Sequence, residues 1–109
     1  MNAHEILKRL NNTLVARRQA SAETSYTARL FAKGEDAILK KIGEECTELV
    51  IAGKTHVRSD IVYESADVLY HMMVLLTWNG IDIDEVLTEL ARREGVSGID
   101  EKNARSAGK

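Results

Sequence analysis

Apolar residues recur along this chain at three- and four-residue intervals, the period of a helix with one buried face. Ile6, Leu7, Leu10, Leu14 and Val15 form the first such stripe and predict a helix from about Ala3 to Ala20. Asn2 can cap it, with Glu5 three residues on closing a capping box. The segment from Gln19 to Lys33 breaks the pattern. Ser21, Thr24, Ser25 and Thr27 compete with the backbone for hydrogen bonds, while Tyr26, Leu30 and Phe31 are apolar anchors. A loop followed by a short helix or turn, ending at Gly34, is expected there. The second helix runs from near Glu35 to near Gly53, with Ile38, Leu39, Ile42, Cys46, Leu49 and Val50 on one face and Gly53 as its stop. Lys54 to Val57 form a connection. The third helix runs from about Arg58 to Asn79, stopped by Gly80. Asp82 then caps a fourth, with Glu85 at its third position, carrying Val86, Leu87 and Leu90 and ending at Gly95. The tail from Val96 to Lys109 is polar, with one docking contact expected at Ile99. The pattern predicts an all-α fold, an antiparallel bundle of about four helices, as one domain over residues 1–109.

Composition strengthens the helical reading. There is no proline, which helix interiors reject and sheet turns use, and aromatic residues are only 5% of the chain. The formal net charge is −2, without a basic block, which argues against nucleic-acid binding through phosphate neutralisation. No apolar run approaches the roughly 20 residues that cross a bilayer, and the first residues lack the basic start and apolar stretch of a signal peptide. The single cysteine, Cys46, excludes an intramolecular disulfide and a multi-cysteine zinc site, and fits a cytoplasmic location.

Two acidic pairs carry the candidate chemistry. Glu45 and Glu48 are three residues apart on the second helix, and Glu64 and Asp67 three apart on the third, so each pair projects from one helix face. A short connection makes the two helices antiparallel. Glu45 and Asp67 are then equidistant from His56, and so are Glu48 and Glu64. All four carboxylates fall at two shared levels of one hairpin, roughly 12–17 Å from its turn. The third helix is apolar around most of its circumference, from Val62, Ala66, Val68, Leu69, Met72, Met73, Leu75 and Leu76, which predicts burial. Glu64, Asp67 and His71 share the side that also carries Val74 and Trp78. Buried carboxylates without partners repel one another or protonate. A hard divalent cation removes that conflict, and Mg²⁺ prefers carboxylate and water oxygens while leaving positions for phosphate.

Either acidic pair alone also fits a solvated helix face. His71 reads as a core or hydrogen-bonding histidine, Cys46 as a small core residue, and Met72, Met73 and Trp78 as core or subunit interface.

The residues Gly43-Glu44-Glu45-Cys46-Thr47-Glu48, followed by Glu64-Ser65-Ala66-Asp67, resemble the EExxE…ExxD signature of the MazG-like all-α NTP pyrophosphohydrolases. That resemblance implies Mg²⁺ bound by Glu45, Glu48, Glu64 and Asp67, with Glu44 assisting a second metal or a water. A narrower likeness follows from Ser25-Tyr26-Thr27-Ala28-Arg29-Leu30, Lys33-Gly34-Glu35-Asp36, Ile38-Leu39-Lys40-Lys41, Tyr63 through His71, and Gly98-Ile99-Asp100-Glu101-Lys102. These stretches resemble the phosphoribosyl-ATP pyrophosphatase family of histidine biosynthesis. The likeness covers most of the chain from about Ser25 onwards. It implies the stand-alone enzyme, since the chain is short and poor in cysteine for a fused zinc cyclohydrolase.

The reaction so implied is attack of water at the α-phosphorus of phosphoribosyl-ATP, releasing pyrophosphate. Glu44 or Glu48 is the candidate to accept the water's proton. A polyphosphate also calls for protein cations. Lys41, one turn before Glu45 and on its face, is the first candidate for a phosphate contact. Arg29 and Lys33 are further cations, and Ser25 and Thr27 offer hydroxyl donors; Lys102 and Arg105 stand in the tail. The apolar excess of the third helix predicts a homodimer, as the resemblance also implies. Two other readings remain open at this point: a house-cleaning NTP or dNTP pyrophosphohydrolase sharing the metal site, and a non-catalytic helical dimerisation module with solvated acids.

Overall fold

In the computed structural model, residues 1–94 are described, together with residues 102 and 105. The described chain is all-helical: α1 (Ala3–Arg18), α2 (Tyr26–Lys33), α3 (Glu35–Thr55), α4 (Arg58–Trp78) and α5 (Ile83–Glu94). The expected stop of the last helix at Gly95 and the docking contact at Ile99 lie outside the described residues.

The caps follow the sequence closely at α1 and α5. Asn2 Oδ1 accepts from the Glu5 amide at 2.9 Å, and Asn2 Nδ2 donates to Glu5 Oε1, closing the box through side chains. At the head of α5 the Asp82 amide donates to Glu85 Oε2, and Asp82 Oδ1 accepts from the Asp84 amide. The two helix starts are clasped together. Lys8 pairs with Asp82 and Asp84, His4 with Asp84, and the buried Asn11 Oδ1 accepts from the Ile83 amide.

Residues 1–94 form five helices, the four long ones expected and the short one expected before Gly34. As expected, the serine- and threonine-rich segment is a loop followed by a short helix, α2, with Ser21 and Thr24 in the loop. Ser25 is the N-cap and accepts from the Ala28 amide, and Thr27, Ala28, Leu30 and Phe31 are buried. Gly34 ends α2 and begins α3 with φ 97° and ψ −175°, a conformation essentially confined to glycine. Gly53 is not the stop of α3. The helix continues to Thr55, and His56, at φ 61°, turns the chain in the left-handed region. The hairpin turn is thereby reduced to His56 and Val57, and α3 and α4 pack together more extensively than any other pair of elements.

Leu14, Leu30, Phe31, Ile38, Met73, Val74 and Ile83 form the core. They come from α1, α2, the first half of α3, the second half of α4 and the start of α5. At that end Arg18 Nη1 donates to the Thr77 carbonyl at 2.6 Å, satisfying an acceptor in the last turn of α4, and its guanidinium lies over Trp78. The other half of the α3–α4 hairpin is not enclosed. Val50, Val62 and Tyr63 are 73%, 62% and 66% exposed, and Ile51, Val57, Ala66 and Leu69 are exposed with them. The expectation that the third predicted helix is buried along its length therefore holds only for its second half, where α1 and α2 cover it. Leu39, Cys46 and Val50 face solvent as well, so Cys46 is not a core residue. The buried line of α3 runs instead through Ile38, Glu45 and Ala52.

Candidate active site

The acidic centre lies between α3 and α4, where the covered half of the hairpin meets the open half. Glu45, only 8% exposed, sits on the buried line of α3 and meets two carboxylates of α4. One ligand oxygen each from Glu45, Glu64 and Asp67 all lie within 4.8 Å of one another. Glu48, one turn further along α3, is exposed and outside that trio, although its charge still bears on Glu64. The buried line of α3 passes through Ile38, Glu45 and Ala52, and Glu48 lies off it, at the rim of the cleft.

Glu64 bears the strain of the cluster. Its Oε2 is the one buried side-chain oxygen or nitrogen without a hydrogen-bond partner among the described residues. Burial raises its pKa above the ordinary carboxylate value, and Asp67, Glu45, Glu48 and Asp60 push it further the same way. A buried acceptor left unmet is costly in any fold, and oxygens alone in the donor set suit a hard divalent cation. The residues present therefore fit Mg²⁺: Glu45, Glu64 and Asp67 converge, and the unmet Glu64 oxygen gives such an ion a further acceptor to satisfy.

Lys41 stands where its spacing predicts. Its Nζ is 3.1 Å from Glu45 Oε1 and 3.9 Å from Glu44 Oε2, and the bond to Glu45 raises its pKa and keeps it charged. Glu44 is exposed on the same face. Lys33 and Lys41, with Lys40, line a pocket of about 370 Å³ beside Glu44 and Tyr26. Arg29 is exposed on α2, and among the described residues no hydrogen bond or ion pair ties its side chain to the acidic centre. Ser25 and Thr27 are already engaged, Ser25 as the α2 cap and Thr27 in a short hydrogen bond to the Tyr70 hydroxyl. Both line a second pocket, into which Asp67 also faces.

His71 has the hydrogen-bonding role expected of it, with a partner the sequence did not disclose. Its Nδ1 lies 2.7 Å from the Asp67 carbonyl, which only accepts, so Nδ1 carries the proton. In the neutral ring Nε2 is then the acceptor, and the Tyr26 hydroxyl donates to it at 3.1 Å. Burial raises the Tyr26 pKa, with Glu45, Tyr70 and Asp67 adding to it against Lys41, so the hydroxyl keeps its proton. The sequence reading assigned no site role to Tyr26, Lys40, Thr13, Arg17 or Tyr70. The i, i+4 spacing of Thr13 and Arg17 on the polar side of the first helix was the available signal.

Fold and site together define an all-helical protein with an acidic centre inside a helical hairpin and a lysine against it. The sequence model described as phosphoribosyl-ATP pyrophosphohydrolase matches residues 7–94, so the likeness takes in most of α1 as well as the acidic motifs. A relative from Dechloromonas aromatica (strain RCB), named phosphoribosyl-ATP pyrophosphatase, is 57% identical over 105 residues, covering 96% of this chain and 97% of that one. One of the same name from Pelobacter propionicus is 50% identical over 103 residues, covering 94% of this chain and 95% of its own length. A protein from Wolinella succinogenes, named histidine biosynthesis bifunctional protein HisIE, is 53% identical over 100 residues, 92% of this chain and 44% of that longer one. The chain belongs to the phosphoribosyl-ATP pyrophosphohydrolase family.

Proposed function

We propose that this chain hydrolyses phosphoribosyl-ATP to phosphoribosyl-AMP and pyrophosphate, a step of histidine biosynthesis, with Mg²⁺ held by Glu45, Glu64 and Asp67. Family membership supports the substrate. The observation that carries the metal is the convergence of three carboxylates within 4.8 Å around an unmet Glu64 oxygen. Glu48, at the rim, completes the ligand set or holds a water beside it.

Mg²⁺ bound there supplies positive charge to phosphate oxygens. Lys41, paired with Glu45, adds a positive charge on the same face for a phosphate to meet. Lys33 and Lys40 extend that positive wall towards the departing end. Glu44 and Glu48 are solvent-facing carboxylates able to accept a proton from an attacking water. The oxygen of that water bonds to the α-phosphorus, its proton passes to the carboxylate, and the bond to the β-phosphate oxygen breaks to release pyrophosphate. Such chemistry depends chiefly on positioning and charge stabilisation, which this arrangement provides.

We further propose that the chain works as a homodimer, its open hairpin half with Val50, Val62 and Tyr63 covered by a second copy. Turnover of phosphoribosyl-ATP compared with ATP, other NTPs and dNTPs tests the substrate. Pyrophosphate release selective for phosphoribosyl-ATP is expected; equal or faster release from simple nucleotides would assign the chain to house-cleaning instead.

A further inference from the structure

Two pockets of about 370 Å³ flank Tyr26, and Tyr26 is the residue common to their linings. The first is the lysine pocket beside Glu44. The second lies between α1, α2 and α4 and is lined by Arg17, Ser25, Thr27, Tyr70 and His71, with Asp67 opening it towards the acidic centre and Thr13 at its edge. Its donors are unspent. Arg17 is half-buried, and its guanidinium has no hydrogen-bond or ion-pair partner among the described residues. Ser25 Oγ accepts from the Ala28 amide, leaving its own proton free to donate. Thr27 and Tyr70 hydrogen-bond each other, and since only one of them donates in that bond, a second hydroxyl proton remains. A guanidinium fork with hydroxyl donors suits a terminal phosphate, whose three oxygens accept strongly, better than it suits a nucleobase edge. Asp67 is the one acidic group in the lining, and its ligand oxygen is turned to the trio with Glu45 and Glu64.

A substrate with phosphate at both ends would use two cationic pockets that share one lining residue. We infer that the Arg17 pocket receives the lone phosphate of the phosphoribosyl arm, while the lysine pocket holds the triphosphate. This rests on the functional reading above, and it makes Arg17 the residue by which the protein tells phosphoribosyl-ATP from ATP. Tyr26 stands between the two arms, held by His71.

The probes are phosphoribosyl-AMP and AMP, which differ only by that arm, titrated calorimetrically against wild type, Arg17→Gln and Arg17→Lys. Wild type prefers phosphoribosyl-AMP. In Arg17→Gln that preference shrinks by about 10- to 100-fold, the scale of losing a charged hydrogen bond, and Arg17→Lys, which keeps the charge without the fork, falls between. The preference for phosphoribosyl-ATP over ATP in turnover shrinks in parallel. A preference unchanged in Arg17→Gln, or equal weakening of both ligands, overturns the inference while leaving the functional reading intact. Wild-type protein that releases no pyrophosphate from phosphoribosyl-ATP contradicts the functional reading itself.

Discussion

Glu64 decides what the acidic centre costs the fold in the absence of metal. Its carboxyl is raised, first by burial and then by Asp67, Glu45, Glu48 and Asp60, so the folded chain holds the proton to higher pH than the unfolded chain does. Native protein then binds more protons than unfolded protein across that interval, and stability falls as pH rises through it. In chelator, the melting temperature of wild type should therefore decline from the ordinary carboxylate range upwards, relative to Glu64→Gln, which lacks the titration. The variant should melt at or above wild type at neutral pH, yet lose turnover by about 100-fold or more, the scale of removing a group that supports transition-state charge. A variant less stable than wild type at neutral pH would mean that Glu64 has a partner after all. Most of this centre was legible in the sequence, because hairpin symmetry about His56 depends only on helical rise. The place of Glu48 at the rim is legible as well, because it sits well round from the centre of the apolar stripe of its helix. The role of Tyr26 was not legible, because its partner His71 comes from an element distant in sequence. For Arg17 the sequence offered only its spacing from Thr13.

At the scale of elements, α2 sets the geometry of both pockets, and Gly34 sets α2. Gly34 is at φ 97° and ψ −175° with open space where a Cβ would stand, so any penalty for a side chain there is conformational rather than steric crowding. Gly34→Ala should cost about 1–3 kcal/mol in denaturant unfolding. It should also weaken nucleotide binding by displacing Tyr26 from His71 and Lys33 from Lys41. Destabilisation below about 0.5 kcal/mol, the ordinary scatter of surface substitutions, would show that the joint tolerates a side chain. The loop, the short helix after it and its end at Gly34 are all legible in the sequence. The place of Ser25 is less so: a poor interior residue by type, it serves as the cap, and the buried run Thr27, Ala28, Leu30 and Phe31 follows it.

The whole molecule has a covered end and an open one. The apolar excess of α4 was visible in its composition, but the pattern could not say which half this chain covers for itself. The structure leaves the first half exposed, together with Val50 and Ile51 of α3. The chain alone thus presents the kind of contiguous apolar surface that marks an interface. Sedimentation should show a dimer, and Val62→Lys, a charge placed on that surface, should yield a folded monomer at concentrations where wild type stays paired. A wild-type monomer would contradict the homodimer.

The central claim is that Glu45, Glu64 and Asp67 form a metal centre acting on phosphoribosyl-ATP. It is tested most directly by pyrophosphate release from that substrate with protein stripped by chelation, before and after Mg²⁺ is restored. No release is expected from stripped protein, full recovery with Mg²⁺, and at most about one hundredth of that recovery in Glu64→Gln at the same Mg²⁺ concentration. Undiminished release after exhaustive chelation would contradict it.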